Sequence, residues 1–81
     1  MKHADVIRTY IIDNFLFGDD DGLKDDTSFL EEGIVDSTGI IELVAHVEKS
    51  FGIEVDDEEI VPENFDSIAN IAEYLKHKLA E

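Results

Sequence analysis

Ser37 directly follows Asp36 in a chain that contains no cysteine, so its hydroxyl is the side chain to consider first for covalent chemistry. A serine hydroxyl acts as a nucleophile when a base activates it, or carries an attached group when it stands exposed. A hydrolase elbow needs glycine on both sides of the serine. Gly39 stands two residues after it, but Val35 occupies the place of the first glycine. His46 lies nine residues further on; at 3.6 residues per turn that is the opposite face of the same helix, more than about 10 Å away. No triad forms within such a helix. His3, His46 and His77 are scattered along the sequence, which places them at surface or rim positions rather than around a metal. In the Asp19-Asp20-Asp21-Gly22 run, setting Gly22 at the sixth position of a calcium loop puts Phe17 first and Ser28 twelfth, so the EF-hand pattern fails and no specific metal site is expected.

The elements that hold Ser37 follow from hydrophobic spacing. Ile40, Leu43, Val44, Val47 and Phe51 recur at helical intervals and predict a helix from about 37 to 51, ending near Gly52. Asp36 stands at its N-cap, where a carboxylate accepts hydrogen bonds from the first unpaired N–H groups. Ser37 then takes the first helical position, pointing away from the core. A helix start has unpaired donors and positive partial charge, so it tolerates an attached phosphodiester. The plainer alternative is that Ser37 only assists the cap.

Residues 3–17 carry Ala4, Ile7, Tyr10, Ile11 and Phe15 on one face and predict a first helix, with Gly18 at its stop. An acidic connection of residues 18–36 follows. Its length marks it as either functional or tied down by Leu23, Phe29, Leu30, Ile34 and Val35, all of which read as buried anchors. Asp57–Ile60 predicts a short helical turn closed by Pro62. Asp66 or Ser67 starts a last helix with Ile68, Ile71, Ala72, Leu75 and Leu79 facing inward. Ile53 and Val55 alternate too briefly for a strand. The expected fold is all-α: a small four-helix bundle of three longer helices and one short one, with a long loop between the first and second.

Length and charge bound the function. Eighty-one residues make a single domain, 1–81, with a core too small for deep catalytic burial. Hydrophobic residues make up 43% of the chain, enough to fold it. The formal charge of −15 argues against nucleic acid and anionic membrane as partners and in favour of proteins with basic docking patches. It also favours a monomer. The absence of cysteine removes disulfides, thiolate metal sites and thiol nucleophiles. No targeting peptide or membrane span is visible, and a cytoplasmic protein is expected.

DSTGIIELV, with FLEEGIV before it and FGIEVDDEEIVPENFDSIANIAEYL after it, resembles the acyl carrier and peptidyl carrier protein family over nearly the whole chain. The resemblance implies a four-helix bundle that is a non-catalytic carrier. Ser37 would be modified with 4'-phosphopantetheine by a phosphopantetheinyl transferase, using coenzyme A and magnesium. The arm would supply the thiol that the polypeptide lacks and hold acyl or aminoacyl groups as thioesters for partner enzymes. Asp36, Ser37, Glu42, Leu43, Glu48 and Phe51 match the family pattern. The second helix would be the recognition surface, with Thr38, Ile41, Glu42 and Glu48 as candidate contacts and Asp36 flanking the site. Glu42 and Glu48 also read simply as a solvated face, and Ile41 as flank packing.

Three positions depart from the fatty-acid carriers. Those carriers typically follow the serine with a bulky apolar residue and an acid, where this chain has Thr38 and Gly39, and many have an acid at the position of Lys49. Gly39 costs a helix about 1 kcal/mol relative to alanine and reads as permitting a partner backbone or the arm to approach closely. These departures point to a discrete carrier for a specialised pathway, loaded by an adenylating ligase. From another functional class, the competing reading is an acidic helical interaction adaptor with Ser37 unmodified.

Overall fold

The computed structural model describes residues 2–18 and 22–79, with the side chain of Lys2 outside the described set; the Asp19–Asp21 run considered above also lies outside it. Among the described residues there are four α-helices and one 3-10 turn: α1 (Lys2–Phe15), α2 (Ser37–Phe51), the 3-10 turn Asp57–Glu59, α3 (Pro62–Phe65) and α4 (Ile68–Lys78). No strand occurs among the described residues.

Both ends of α2 and the starts of α3 and α4 have a local cause. The Asp36 carboxylate caps α2 by accepting the Gly39 N–H at 2.7 Å, and Gly52 closes that helix in the left-handed region at φ 66°. The Ser67 hydroxyl caps α4 by accepting the Asn70 N–H at 3.0 Å. Pro62 corrects the expectation for this region. It opens α3 at the first helical position, where its missing N–H has no role, rather than closing the turn before it. The short α-helix therefore falls at 62–65, and residues 57–59 form a 3-10 turn.

The core is one cluster. Ile7 and Ile11 of α1, Leu43 and Val47 of α2, and Ile68, Ile71 and Leu75 of α4 are fully buried around Phe29 and Phe65. Burial of this apolar surface is the principal stabilising term. The chain runs antiparallel in α1 and α2, since His3 meets Phe51, Tyr10 meets His46, and Phe15 lies against Gly39.

The described part of the long connection, residues 22–36, is tied down rather than loose. Leu23, Phe29 and Val35 are buried in it. Arg8 Nη1 donates to the Leu23 carbonyl at 2.9 Å, Ala69 N–H to the Asp25 carbonyl at 2.8 Å, and Phe29 N–H to the Asp66 carbonyl at 2.8 Å. The Asp66 carboxylate accepts from the Ser28 hydroxyl and from the Leu30 N–H. Leu30 departs from its expected burial: its backbone is fixed, but its side chain remains 43% exposed.

Candidate functional site

Ser37 is exposed at the first position of α2, with Asp36 capping the helix beneath it. The two neighbours have separate tasks: the Asp36 carboxylate satisfies a backbone donor, while the serine faces outward. A cavity of about 190 Å³ opens beside Ser37, between α2 and the segment that runs from the 3-10 turn into α3. Its lining is almost wholly apolar: Leu30, Ile40 and Ile41 on one side and Ile60, Val61, Pro62 and Phe65 on the other, with Asp66 as the one carboxylate.

The wall formed by residues 60–62 is anchored from α4. Glu59 Oε1 accepts Tyr74 Oη at 3.0 Å, Lys78 Nζ at 2.8 Å and the Asp56 N–H at 3.0 Å. Asn64 Nδ2 donates to the Glu59 carbonyl and Asn70 Nδ2 to the Pro62 carbonyl. The Lys78 hydrogen bond, followed by that of the Asp56 backbone, holds the Glu59 carboxyl below its ordinary range. Burial first, then the hydrogen bond to Glu59, pushes the Tyr74 phenol well up. Neither the wall nor its anchors were foreseen from the sequence. The only signal was the Val61-Pro62 pair followed by Phe65, which reads as a helix start once proline is given its N-terminal role.

The candidate partner contacts on α2 fall on two sides of the helix. Ile41 is 60% exposed and shares the cavity mouth with Ser37. Thr38 and Glu42 are exposed on the other side, beside a depression bounded by Phe15 at the end of α1 and by Gly33 and Ile34 of the loop. Glu48 is half-buried, and its Oε2 accepts the Val55 N–H at 2.9 Å, which pins the stretch after Gly52 to α2.

Gly39 corrects the expectation of an open approach. It is buried, and an added Cβ would lie 2.8 Å from Val35 Cγ1, 3.0 Å from Phe15 Cε1 and 3.3 Å from Asp36 Oδ1. The close approach it permits is by this chain's own loop and first helix, and it sets the seat of α2 beneath Ser37.

His46 lies half-buried and stacks on Tyr10, with ring centroids 3.8 Å apart. Burial, then Lys49, pushes its pKa down, while burial and Glu42 push the Tyr10 phenol up. His77 is exposed and pairs with Glu73 at 2.9 Å. His3 packs edge-on against Phe51. Among the described residues no His, Asp or Glu cluster has the geometry to hold a metal.

The site has room for a phosphopantetheine arm on Ser37. The hydroxyl faces solvent, and the depression beside it is apolar and open at the serine. Comparison with known proteins identifies the family. The sequence profile of the phosphopantetheine attachment site matches residues 5–75. An acyl carrier protein of Bdellovibrio bacteriovorus is 35% identical over 60 residues, 74% of each chain. The solution structure of a holo acyl carrier protein from Nitrosomonas europaea matches with a TM-score of 0.81 and 25% identity over the whole of both chains. A chain in the crystal structure of an FAD-dependent dehydrogenase matches at 33% identity and a TM-score of 0.74, covering 85% of this chain and 97% of that one.

Proposed function

The chain belongs to the phosphopantetheine attachment-site family, carriers whose prosthetic group is 4'-phosphopantetheine, and we propose that Ser37 is the attachment residue of a discrete acyl carrier serving a specialised pathway. The observation that carries this reading is an exposed serine at the start of a capped helix, opening onto an apolar cavity. In the attachment step the Ser37 Oγ–phosphorus bond forms as the diphosphate of coenzyme A breaks, the nucleotide leaves, and the serine proton passes to the transferase. When attached, the arm supplies a thiol that holds acyl groups as thioesters.

This chain's own residues provide position and shelter. Asp36 and Gly39 fix the start of α2, so Ser37 is presented in one orientation. Ile40, Ile60, Val61 and Phe65 offer an apolar surface beside the attachment point. That lining favours an aliphatic acyl group over a charged aminoacyl group, because its one charged side chain is Asp66, which the loop already engages, and the rest of it is apolar. Asp66 already accepts two hydrogen bonds from the loop.

The specialised assignment rests on Thr38 and Gly39 after the serine and on Lys49 in the recognition helix. The similarity to a chain found with an FAD-dependent dehydrogenase makes such an enzyme one partner class to test. The remaining partners are a phosphopantetheinyl transferase, a loading ligase and acyl-processing enzymes with basic docking patches. Residues 1–81 act as a single carrier domain, monomeric and cytoplasmic; no described helix is long and apolar enough to cross a membrane. No observation favours the adaptor reading over the carrier one. Incubation of the modified protein with an adenylating ligase, ATP and short aliphatic acids should give acyl-protein. Efficient cycling by a complete fatty-acid elongation set, with no ligase able to load the protein, would refute the specialised assignment.

A further inference from the structure

α1 ends at Phe15, and the turn that follows places Phe17 in the left-handed region at φ 54°. Helix ends usually give that conformation to glycine, because a Cβ there crowds the backbone. Phe17 is the one non-glycine residue among those described to adopt it. Backbone hydrogen bonds on both sides hold the turn. The Leu16 N–H donates to the Ile11 carbonyl at 3.2 Å and the Gly18 N–H to the Ile12 carbonyl at 2.9 Å. The conformation is therefore imposed on Phe17, and its side chain is left in water, 92% exposed.

Nothing in the bundle accounts for a phenylalanine at this position. The other exposed large hydrophobic residues are Val6, Leu30 and Ile41, and each lines a depression: Val6 one on α1, Leu30 and Ile41 the cavity beside Ser37. Phe17 lines none of the depressions described, and its ring meets no other ring among the described residues. Strain and exposure both work against it in the isolated protein, and bulky residues held in this region of backbone space gather at sites of binding.

Its place relative to Ser37 says what covers it. The pairings His3–Phe51, Tyr10–His46 and Phe15–Gly39 set the antiparallel register of α1 against α2. Continued by two residues, that register brings position 17 level with Ser37, at the same end of the bundle. A protein interface at the small end of the usual range buries about 600 Å² on each partner, a patch roughly 25 Å across. The whole molecule extends only 32 × 25 × 20 Å. A protein seated squarely on Ser37 therefore spans this end and covers Phe17.

We propose that Phe17 is the apolar anchor on which the phosphopantetheinyl transferase seats when it modifies Ser37, its ring entering an apolar pocket at the rim of the enzyme's active site. The inference rests on the carrier reading, which supplies that enzyme. It gives the two sides of Ser37 different work: the cavity on the α3 side serves the arm, and the ring on the α1 side holds the enzyme. The turn suits Phe17 to this work. Its backbone is already fixed, so docking orders only the side-chain torsions. An aromatic ring also supplies a large apolar contact from a single residue.

The test is steady-state modification of the apo protein by a broad-specificity phosphopantetheinyl transferase with coenzyme A and magnesium. Wild type is compared with Phe17→Ala, Phe17→Gly and Phe17→Tyr, beside melting curves of the same four proteins. Loss of the ring should lower kcat/KM about tenfold, through KM, in both the alanine and the glycine variant. Tyrosine keeps the ring and should stay within about twofold of wild type. The glycine variant should melt at or above the wild-type temperature because it removes the strain, so its slower modification cannot come from unfolding. An unchanged KM in the alanine variant, a loss confined to glycine, a tyrosine variant as slow as alanine, or a glycine variant that melts several degrees lower would overturn the proposal. Modification of all four proteins at one rate refutes the anchor alone. A folded wild type that is not already modified and gains no arm refutes the carrier reading, and the anchor with it.

Discussion

Gly39 packs so closely on Val35 that a Cβ at residue 39 would stand 2.8 Å from Val35 Cγ1. Val35 is 1% exposed and β-branched, so it has little freedom to yield. The contact joins the end of the long loop to the first turn of α2, and through that turn it fixes where Ser37 stands.

Two effects oppose each other in Gly39→Ala. Helix propensity favours alanine by about 1 kcal/mol. Overpacking a tight site costs about 1–3 kcal/mol, and here Val35, Phe15 and the capping Asp36 are all crowded together. The steric cost prevails, so the variant should melt several degrees lower and be modified more slowly at Ser37. A rise in melting temperature would show that the loop moves aside freely.

The Glu59–Tyr74–Lys78 cluster gives the fold a signature in alkali. Tyr74 and Lys78 have raised pKa values when folded, Tyr74 first by burial and Lys78 first by its hydrogen bond to Glu59. Their contributions are complete below the unfolded values, near pH 10 to about 10.4, and are lost as pH rises through the folded ones. The Glu59 pKa is lowered, so its contribution is present above about pH 4.3 and is lost as pH falls through its folded value. Stability should therefore decline from about pH 10 upward, and less steeply in Tyr74→Phe. Tyrosinate absorbance of the folded protein should lag behind that of the unfolded chain, because the Tyr10 phenol is also raised. Ionisation of both tyrosines at the free-tyrosine value, with the fold intact, would contradict the cluster.

A formal charge of −15 on 81 residues should make self-repulsion measurable. At 0.1 M salt the screening length is about 10 Å, comparable to the spacing of exposed acids on a protein this small. Added salt or divalent cations should raise the melting temperature. A flat response would mean that repulsion does not limit stability.

Much of this architecture could be read from the chain because its signals are local. The cap at Asp36, the stripe from Ile40 to Phe51 and the Ser67 cap each occupy a few consecutive residues and emerge where the spacing places them. Proline was ambiguous, since the same missing N–H that breaks a helix suits its first position, and only the burial of Phe65 decides which applies at Pro62. Leu30 shows that apolar character does not fix burial: hydrogen bonds to Asp66 hold its backbone while the side chain forms the cavity rim. Tyr74 lies off the α4 stripe yet is only 8% exposed, because its hydroxyl reaches Glu59, fifteen residues away. The cavity was hidden for the same reason. Its two walls come from segments more than a turn of chain apart, and no sequence window holds both.

The attachment of the arm to Ser37 is tested most directly by intact mass. The wild type and Ser37→Ala should each be incubated with coenzyme A, magnesium and a broad-specificity phosphopantetheinyl transferase. The account predicts a gain of one phosphopantetheine in the wild type and none in the variant. No gain in a folded wild type that was not already modified, or the same gain in Ser37→Ala, would contradict it.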